Sequence, residues 1–290
     1  MWNWVWSAIR LGQTFLFLSF LSNCTYRGNT VNPLDSKQVA SRVYYPAQTE
    51  RNTPVGAKDF DIPVTGDDTV GARYYRKDPA FRTVLYFHGN GETVPDYDDI
   101  APMFHAVGMN LFVVDYRGYG WSTGFPTLRH LSIDPPRIAE FFLNNVEPSP
   151  LKKPLVFGRS LGSSPATDVA IRFPERFAGL VLESGFADVT PLLRLLGIDL
   201  NAEQEAEADK MFSNSIKLRG IKIPVLILHG ERDMLIQVTH AQENFASLEG
   251  NPIRNSSKLK TFPGAGHNDM IARDRKGYFK AIQDFAGDRP

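Results

Sequence analysis

Short apolar runs alternate along the chain with longer stretches whose apolar residues recur at helical spacing. Four runs are apolar throughout, which is typical of strands buried on both faces of a sheet. They are Thr83–Phe87, Leu111–Val114, Leu155–Phe157 and Gly179–Leu182. Two further strand candidates follow, Val225–Leu228 and Leu259–Phe262. This alternation predicts a mainly parallel sheet with helices on both faces, that is, a three-layer α/β domain.

Two earlier strand candidates have a different connection. Phe60–Val64 and Val70–Tyr75 flank a Gly-Asp-Asp turn at residues 66–68, which predicts a hairpin. Pro63 has no backbone N–H to donate, so we expect its strand at an edge of the sheet. The sheet would then have about eight strands. The helix candidates are Tyr97–Val107, Ser132–Asn145, Leu161–Phe173, His240–Leu248 and Asn268–Phe285.

Residues 1–24 differ from the rest of the chain, because Arg10 is their only charged side chain and an apolar stretch centred on Phe15–Leu21 follows it. This outline predicts a secretory signal peptide or a membrane anchor. Cys24 stands where a bacterial lipoprotein signal places its lipidated cysteine, although Asn23 is unusual before such a cysteine. A retained signal anchor at the cytoplasmic face, or an apolar terminus packed on its own domain, are the alternatives.

Composition limits the remaining possibilities. The counts of Lys plus Arg and of Asp plus Glu are both 32, which argues against a nucleic-acid binder. A single cysteine excludes an intrachain disulfide framework and a thiolate zinc site. No run reaches the roughly 18 apolar residues of a clear transmembrane helix, so membrane attachment would be N-terminal. Residues 25–57 are polar and contain prolines, which favours a spacer and leading region before a domain at 58–290.

A candidate nucleophile lies where a strand candidate runs into a helix candidate. Residues 158–162 read Gly-Arg-Ser-Leu-Gly, the G-x-S-x-G pattern with Ser160 at its centre. The turn between strand and helix is so tight that side chains at the two glycine positions would clash, and the serine itself is strained. The alternative is a serine that only caps the following helix.

A serine hydroxyl needs a base, and the base needs a carboxylate to orient it. His267 lies in a loop directly after the last strand candidate, and Asp233 lies in the loop after the strand before it. The order Ser160, Asp233, His267 is that of α/β-hydrolases. Three other carboxylates could take the acid's place: Glu231, Asp188 and Asp269.

A glycine-rich turn follows the strand Thr83–Phe87 and reads His-Gly-Asn-Gly at residues 88–91. Acyl transfer develops negative charge on a carbonyl oxygen, which fixed backbone N–H groups can stabilise. We expect these donors to be the N–H groups of Leu161 and Asn90, with His88 bracing the loop. Because the donor is a backbone group, we expect the Asn90 side chain to matter little. A glycine-rich turn without a catalytic part is the alternative.

These motifs resemble the α/β-hydrolase superfamily, and within it the branch of BEM46-like, serine aminopeptidase-like and depalmitoylase-type hydrolases. The resemblance extends over residues 55–286 and includes Asp-Tyr-Arg-Gly-Tyr-Gly-Trp-Ser at 115–122 and His-Gly-Glu-Arg-Asp at 229–233. It implies a serine hydrolase fold and a short cap after the sixth strand. Glu92 departs from the branch pattern and puts a carboxylate near the mouth of the site. The depalmitoylases have cysteine-rich N-termini, whereas this chain has only Cys24.

Substrate choice is expected to depend on a cap insertion at about 185–220. Four apolar residues there share one helical face, either as the lining of an acyl pocket or as ordinary core packing; they are Val189, Leu192, Leu193 and Leu196. An acidic run follows, consisting of Glu203, Glu205, Glu207 and Asp209. It is either a solvated face or an anchor for a peptide amine.

The sequence therefore predicts a serine hydrolase that cleaves a carboxylic ester or thioester through an acyl-enzyme. Its substrate would be a small molecule or a lipid-like acyl compound, and no metal or organic cofactor is implied. A serine aminopeptidase-like peptidase that uses the acidic run, and a non-catalytic binding protein on the same fold, are the two alternatives.

Overall fold

Eight strands form one sheet in the part of the chain that the computed structural model describes, residues 32–146 and 152–287. They are β1 (Ala57–Pro63), β2 (Thr69–Tyr75), β3 (Arg82–Phe87), β4 (Met109–Val114), β5 (Leu155–Arg159), β6 (Gly179–Glu183), β7 (Val225–Gly230) and β8 (Lys258–Phe262). Their order across the sheet is β1-β2-β4-β3-β5-β6-β7-β8. The pairs β1–β2 and β2–β4 are antiparallel and all others are parallel. The predicted mostly parallel, eight-stranded sheet is confirmed.

Helices cover both faces of this sheet. They are α1 (Lys37–Val43), α2 (Ala101–His105), α3 (His130–Phe141), α4 (Ser163–Arg172), α5 (Thr190–Leu195), α6 (Ala202–Phe212), α7 (Asn214–Lys217), α8 (Val238–Ala246) and α9 (Met270–Gly287). One apolar cluster joins the sheet to α3, α4 and α8, and a second joins its other face to α2 and α9. The architecture is therefore the three-layer α/β arrangement that the sequence predicts.

The apolar pattern of each strand agrees with its burial in the structure. Every residue of β3, β4, β5 and β6 is buried, as expected for runs that are apolar on both faces. β1 and β2 form the predicted hairpin, and Pro63 is the last residue of the edge strand β1. The carboxyl ends of β3, β5, β7 and β8 meet at one end of the sheet, where the predicted site residues follow them.

The prediction of a spacer over residues 25–57 is wrong for the part that the structure describes. Ser36 caps α1 through its side chain, and Leu34 and Ala40 are completely buried in the core. Tyr44 is also buried, and Gln48 pairs with Gly120 as an isolated bridge. The segment is polar in composition, but its few apolar side chains fall on one side of a short helix and pack inward. Residues 32–57 are therefore part of the folded domain that was expected to start at residue 58.

Three helices, α5, α6 and α7, follow β6 within the predicted cap segment 185–220. Of the predicted apolar face, Val189 and Leu193 are buried, while Leu196 is exposed. Leu195, which lies beside it, has 79% of its surface exposed. The segment is thus partly ordinary core packing and partly exposed apolar surface.

The predictions for residues 1–24, including lipidation of Cys24, lie outside the described residues. Within residues 32–146 and 152–287, no helix is both long enough and apolar enough to cross a bilayer.

Candidate active site

Ser160 occupies a strained turn between β5 and α4. Its φ of 51° lies in the left-handed region, which among the described non-glycine residues only Ser184 shares. A Cβ on Gly158 would lie 2.2 Å from the carbonyl oxygen of Gly162, and one on Gly162 would lie 2.1 Å from that of Phe87. Both glycines are therefore needed for the turn, as the sequence predicts, and the second brings it against the end of β3.

The three residues predicted to act together do lie together. The Oγ of Ser160 is 3.0 Å from Nε2 of His267, and Nδ1 of His267 is 2.7 Å from Oδ2 of Asp233. With the imidazole neutral, Nδ1–H donates to the carboxylate and Nε2 accepts from the serine hydroxyl. This is the arrangement in which a histidine can accept the proton of a serine.

Asp233 is held as an ionised acceptor. Its Oδ1 accepts from the backbone N–H groups of Leu235 (2.9 Å) and Ile236 (2.8 Å). Burial acts to raise the pKa of Asp233, but hydrogen bonds from His229, His267 and the Ile236 N–H outweigh it and hold that pKa well below its ordinary range. The carboxylate therefore carries a negative charge at neutral pH, next to the imidazole that would become positive in the reaction.

The three rival carboxylates have other partners. Glu231 accepts from the hydroxyl of Thr261, Asp188 accepts from the hydroxyl of Ser215, and Asp269 accepts from the backbone of Gly266 and pairs with the guanidinium of Arg273. None of the hydrogen bonds among the described residues joins any of them to the His267 ring. Asp233 is thus the one whose geometry fits the acid's role.

The turn after β3 lies against the nucleophile turn, since the carbonyls of Phe87 and His88 face Gly162. Among the backbone hydrogen bonds of the described turns and loops, none has the N–H of Asn90 or of Leu161 as its donor. His88 braces the turn as expected, with Nδ1 donating to the Gly89 carbonyl (2.7 Å) and Nε2 lying 3.1 Å from Asp115.

The side chain of Asn90 does more than the sequence predicts. Its Nδ2 donates to the carbonyl of Val43 (2.6 Å), and its Oδ1 accepts from the N–H of Tyr45 (3.0 Å) and from the hydroxyl of Tyr119 (2.6 Å). The expectation that this side chain matters little does not fit these three contacts. No local pattern indicates these contacts, because residues 43–45 are distant from Asn90 in the sequence and fall in the segment predicted as a spacer.

A buried ionic network around Arg159 was also missed. The Arg159 guanidinium contacts Glu92, pairs with Glu183 (3.2 Å) and donates to Oδ1 of Asn268 (2.6 Å). Tyr278 donates to the other oxygen of Glu183 at 2.6 Å. Glu92 is therefore turned inward rather than free at the mouth of the site. The network links the turn after β3, the nucleophile turn and the residue after His267. An arginine beside the nucleophile and an unusual glutamate in the facing turn were the available signals.

The acidic run lies on α6, and most of its carboxylates have partners within the chain. Glu205 pairs with Arg194, and Glu207 pairs with Arg129. Asp209 accepts from the hydroxyl of Ser213. Glu203 is exposed, and the other three carboxylates are partly exposed.

Comparisons with known proteins agree with this fold. Residues 82–215 match the model of the alpha/beta hydrolase fold family, and residues 150–288 match that of the prolyl oligopeptidase family. The chain is 32% identical over 205 residues to protein bem46 of Schizosaccharomyces pombe. The matched region covers 70% of this chain and 66% of that protein. It is 27% identical over 211 residues to the uncharacterized membrane protein YNL320W of Saccharomyces cerevisiae, with 70% of each chain covered.

Among solved structures, the Pyrococcus furiosus esterase Pf2001 superposes with a TM-score of 0.65 at 19% identity, over 84% of this chain and 98% of that one. This likeness concerns the fold alone, and the chain spans just under two thirds of the length of bem46. Its strand order, its nucleophile turn and both family matches lead to one conclusion: the chain belongs to the α/β-hydrolase superfamily.

Proposed function

We propose that this protein is a serine hydrolase that cleaves a carboxylic ester or thioester through an acyl-enzyme. The observation that carries the proposal is the hydrogen-bonded chain from Ser160 through His267 to Asp233, with the serine held at positive φ. A helix-capping role would not require that conformation or that histidine. The hydrolase fold and an esterase among its structural neighbours support the reaction class.

In the proposed reaction, Oγ of Ser160 attacks the carbonyl carbon while Nε2 of His267 takes the hydroxyl proton. The carbonyl oxygen becomes an oxyanion, which the N–H groups of Asn90 and Leu161 would stabilise. The imidazolium then gives its proton to the leaving alcohol or thiol, and an acyl-serine remains. Water attacks this ester, His267 again takes and returns the proton, and the free acid leaves. Asp233 stays ionised throughout and stabilises the imidazolium.

A peptidase is the second candidate, because residues 150–288 match the prolyl oligopeptidase family. An aminopeptidase that used the acidic run would need free carboxylates to bind the substrate amine. Three of the four are already hydrogen-bonded or paired within the chain: Glu205, Glu207 and Asp209. This occupancy favours an uncharged acyl substrate over a peptide N-terminus.

We further propose that residues 1–24 attach the enzyme to a membrane, either as a lipoprotein anchored at Cys24 or through a signal anchor. The apolar stretch of this segment and the name of one relative as a membrane protein support this location. A catalytic domain beside a bilayer would suit a lipid-like acyl substrate, and the exposed Leu195 and Leu196 add apolar surface to the cap.

A chromogenic screen tests the proposed activity. Acyl esters of increasing chain length, a thioester and aminoacyl anilides are offered to the wild type and to Ser160→Ala. We expect hydrolysis of esters or thioesters by the wild type alone. Preference for anilides would establish the peptidase instead. A folded wild type that cleaves none of them and takes no fluorophosphonate label would establish a binding protein.

A further inference from the structure

The segment from α1 to residue 48, called the strap here, runs past the proposed oxyanion turn. It contributes the Val43 carbonyl and the Tyr45 N–H that hold the carboxamide of Asn90. Both lone pairs of the Asn90 oxygen are used, since Tyr119 donates to it as well. A side chain with three hydrogen bonds to two separate segments has little freedom left, and neither has the backbone that carries it.

The strap is held by hydrogen bonds toward both of its ends. Arg42 donates to the carbonyl of Gly197 at the end of α5 (2.6 Å), which ties the strap to the cap. Further along, the Gly120 N–H donates to the carbonyl of Ala47 (2.8 Å), and the side chain of Gln48 donates to the carbonyl of Gly118 (2.6 Å). The strap is therefore bonded to the cap and to the loop after β4, and the turn with Asn90 is held between them.

The hydroxyl of Tyr119 joins these parts. It is completely buried, donates to Oδ1 of Asn90 and accepts from the N–H of Tyr45 (3.1 Å). The small ring of contacts formed by Asn90, Tyr45 and Tyr119 joins the turn to the strap and to the loop after β4. Oxyanion stabilisation depends on donors that are already in place before charge develops, and a displacement of about 1 Å can cost roughly a hundredfold in rate.

We propose that Asn90 is a positioning residue whose carboxamide, held by the strap and Tyr119, sets the direction of its own backbone N–H toward the oxyanion. The inference rests on the proposed hydrolase activity. It makes the strap a part of the catalytic unit.

Two variants in the full-length chain test this. Asn90→Asp replaces the donor that faces the Val43 carbonyl with an oxygen, so the two acceptors repel each other. Tyr119→Phe removes one hydrogen bond to Oδ1. We expect kcat for an acyl ester to fall roughly a hundredfold in the first and about tenfold in the second, with KM nearly unchanged. Affinity for an alkyl boronic acid, whose serine adduct resembles the tetrahedral intermediate, should fall by similar factors.

Tyr75→Phe is the matched control. Tyr75 is also a buried tyrosine whose hydroxyl donates to a side-chain oxygen, that of Asp98 (2.6 Å), with the Val94 carbonyl 3.1 Å from the same hydroxyl. It lies outside the strap and the site, so Tyr75→Phe should lose comparable stability in urea unfolding while keeping kcat and boronate affinity.

The outcomes separate the two proposals. If the wild type hydrolyses no ester and takes no fluorophosphonate label, the proposed function fails. If the wild type is active and the folded Tyr119→Phe keeps wild-type kcat and boronate affinity, only the positioning role is overturned. Should Asn90→Asp fail to fold, Tyr119→Phe against Tyr75→Phe decides the question alone. A loss expressed in KM rather than kcat would also overturn the positioning role.

Discussion

Replacing Asp233 by asparagine changes one atom and reverses one hydrogen bond. In the wild type both carboxylate oxygens act as acceptors, Oδ1 from two backbone N–H groups and Oδ2 from the ring N–H of His267. An asparagine has one acceptor and one donor, so in either orientation its NH₂ group faces a donor. The amide oxygen is best placed toward the two backbone N–H groups, which leaves the NH₂ against the His267 ring.

His267 can form a hydrogen bond with that NH₂ only if Nδ1 is the acceptor. Its proton then moves to Nε2, which lies 3.0 Å from the Oγ of Ser160 and can no longer accept the serine proton. In a serine protease with the same arrangement, this exchange lowers kcat by about 10⁴, and we expect a loss of that order here. The charge that stabilises the imidazolium is lost at the same time.

The assay compares kcat for a chromogenic ester in the wild type, Asp233→Asn and Glu231→Gln. Glu231 lies two residues earlier, is exposed and bonds to Thr261 rather than to the histidine. Its variant should be near wild type, while Asp233→Asn keeps the fold by circular dichroism and loses activity. Near-wild-type activity in Asp233→Asn together with an inactive Glu231→Gln would refute the assignment of the acid.

Three further changes test other parts of the account. Gly162→Ala should lower the free energy of unfolding in urea by about 1–3 kcal/mol, because its methyl would lie 2.1 Å from a β3 carbonyl. Gly220 faces open space, so Gly220→Ala should change this free energy by no more than about 0.5 kcal/mol. Equal losses in the two variants would contradict the close approach of Gly162 to β3. Burial acts to raise the pKa of Asp59, but the hydrogen bond from Arg73 and the other partners of Asp59 lower that pKa below its ordinary value. The stability that the ionised Asp59 provides is therefore present above its unfolded pKa of about 3.9 and is lost as the pH falls toward the folded value. The difference in unfolding free energy between wild type and Asp59→Asn should therefore be smaller near about pH 3 than near about pH 7, and a constant difference would argue against this ion pair. Cys24→Ser should release a lipid-anchored enzyme from the membrane fraction, and mass spectrometry would identify the mature N-terminus. A variant that stays membrane-bound and uncleaved would indicate a signal anchor. A full-length, soluble wild type would exclude both the lipid anchor and the signal anchor.

The sheet was predictable because its strands carry strong local signals. Runs such as Val225–Leu228 are apolar throughout and are buried in the sheet, so their composition alone indicates a strand. The nucleophile turn was predictable for a similar reason, since Gly158 and Gly162 are required by contacts within a few residues or with the adjacent strand. His267 and Asp233 followed from their place after parallel strands, whose carboxyl ends share one edge.

The parts that were missed depend on contacts between distant segments. Helix α1 is short and sparse in apolar residues, and its stability comes from packing against the core rather than from its own sequence. The bond between Asn90 and Val43 joins residues 47 positions apart, and no local pattern marks it. Likewise, Arg159 and Glu92 meet only because β3 and β5 are neighbours in the sheet.

Labelling with a fluorophosphonate probe, followed by peptide mapping, shows whether Ser160 is an activated nucleophile. The reagent forms a covalent bond with a serine that a histidine has activated and leaves ordinary serines unmodified. We expect one adduct on the native protein, at Ser160, with ester hydrolysis lost in proportion to the label. The adduct should be absent in Ser160→Ala and after unfolding in urea. A native protein that remains unlabelled, or that is labelled at another residue while Ser160→Ala still hydrolyses esters, would contradict it.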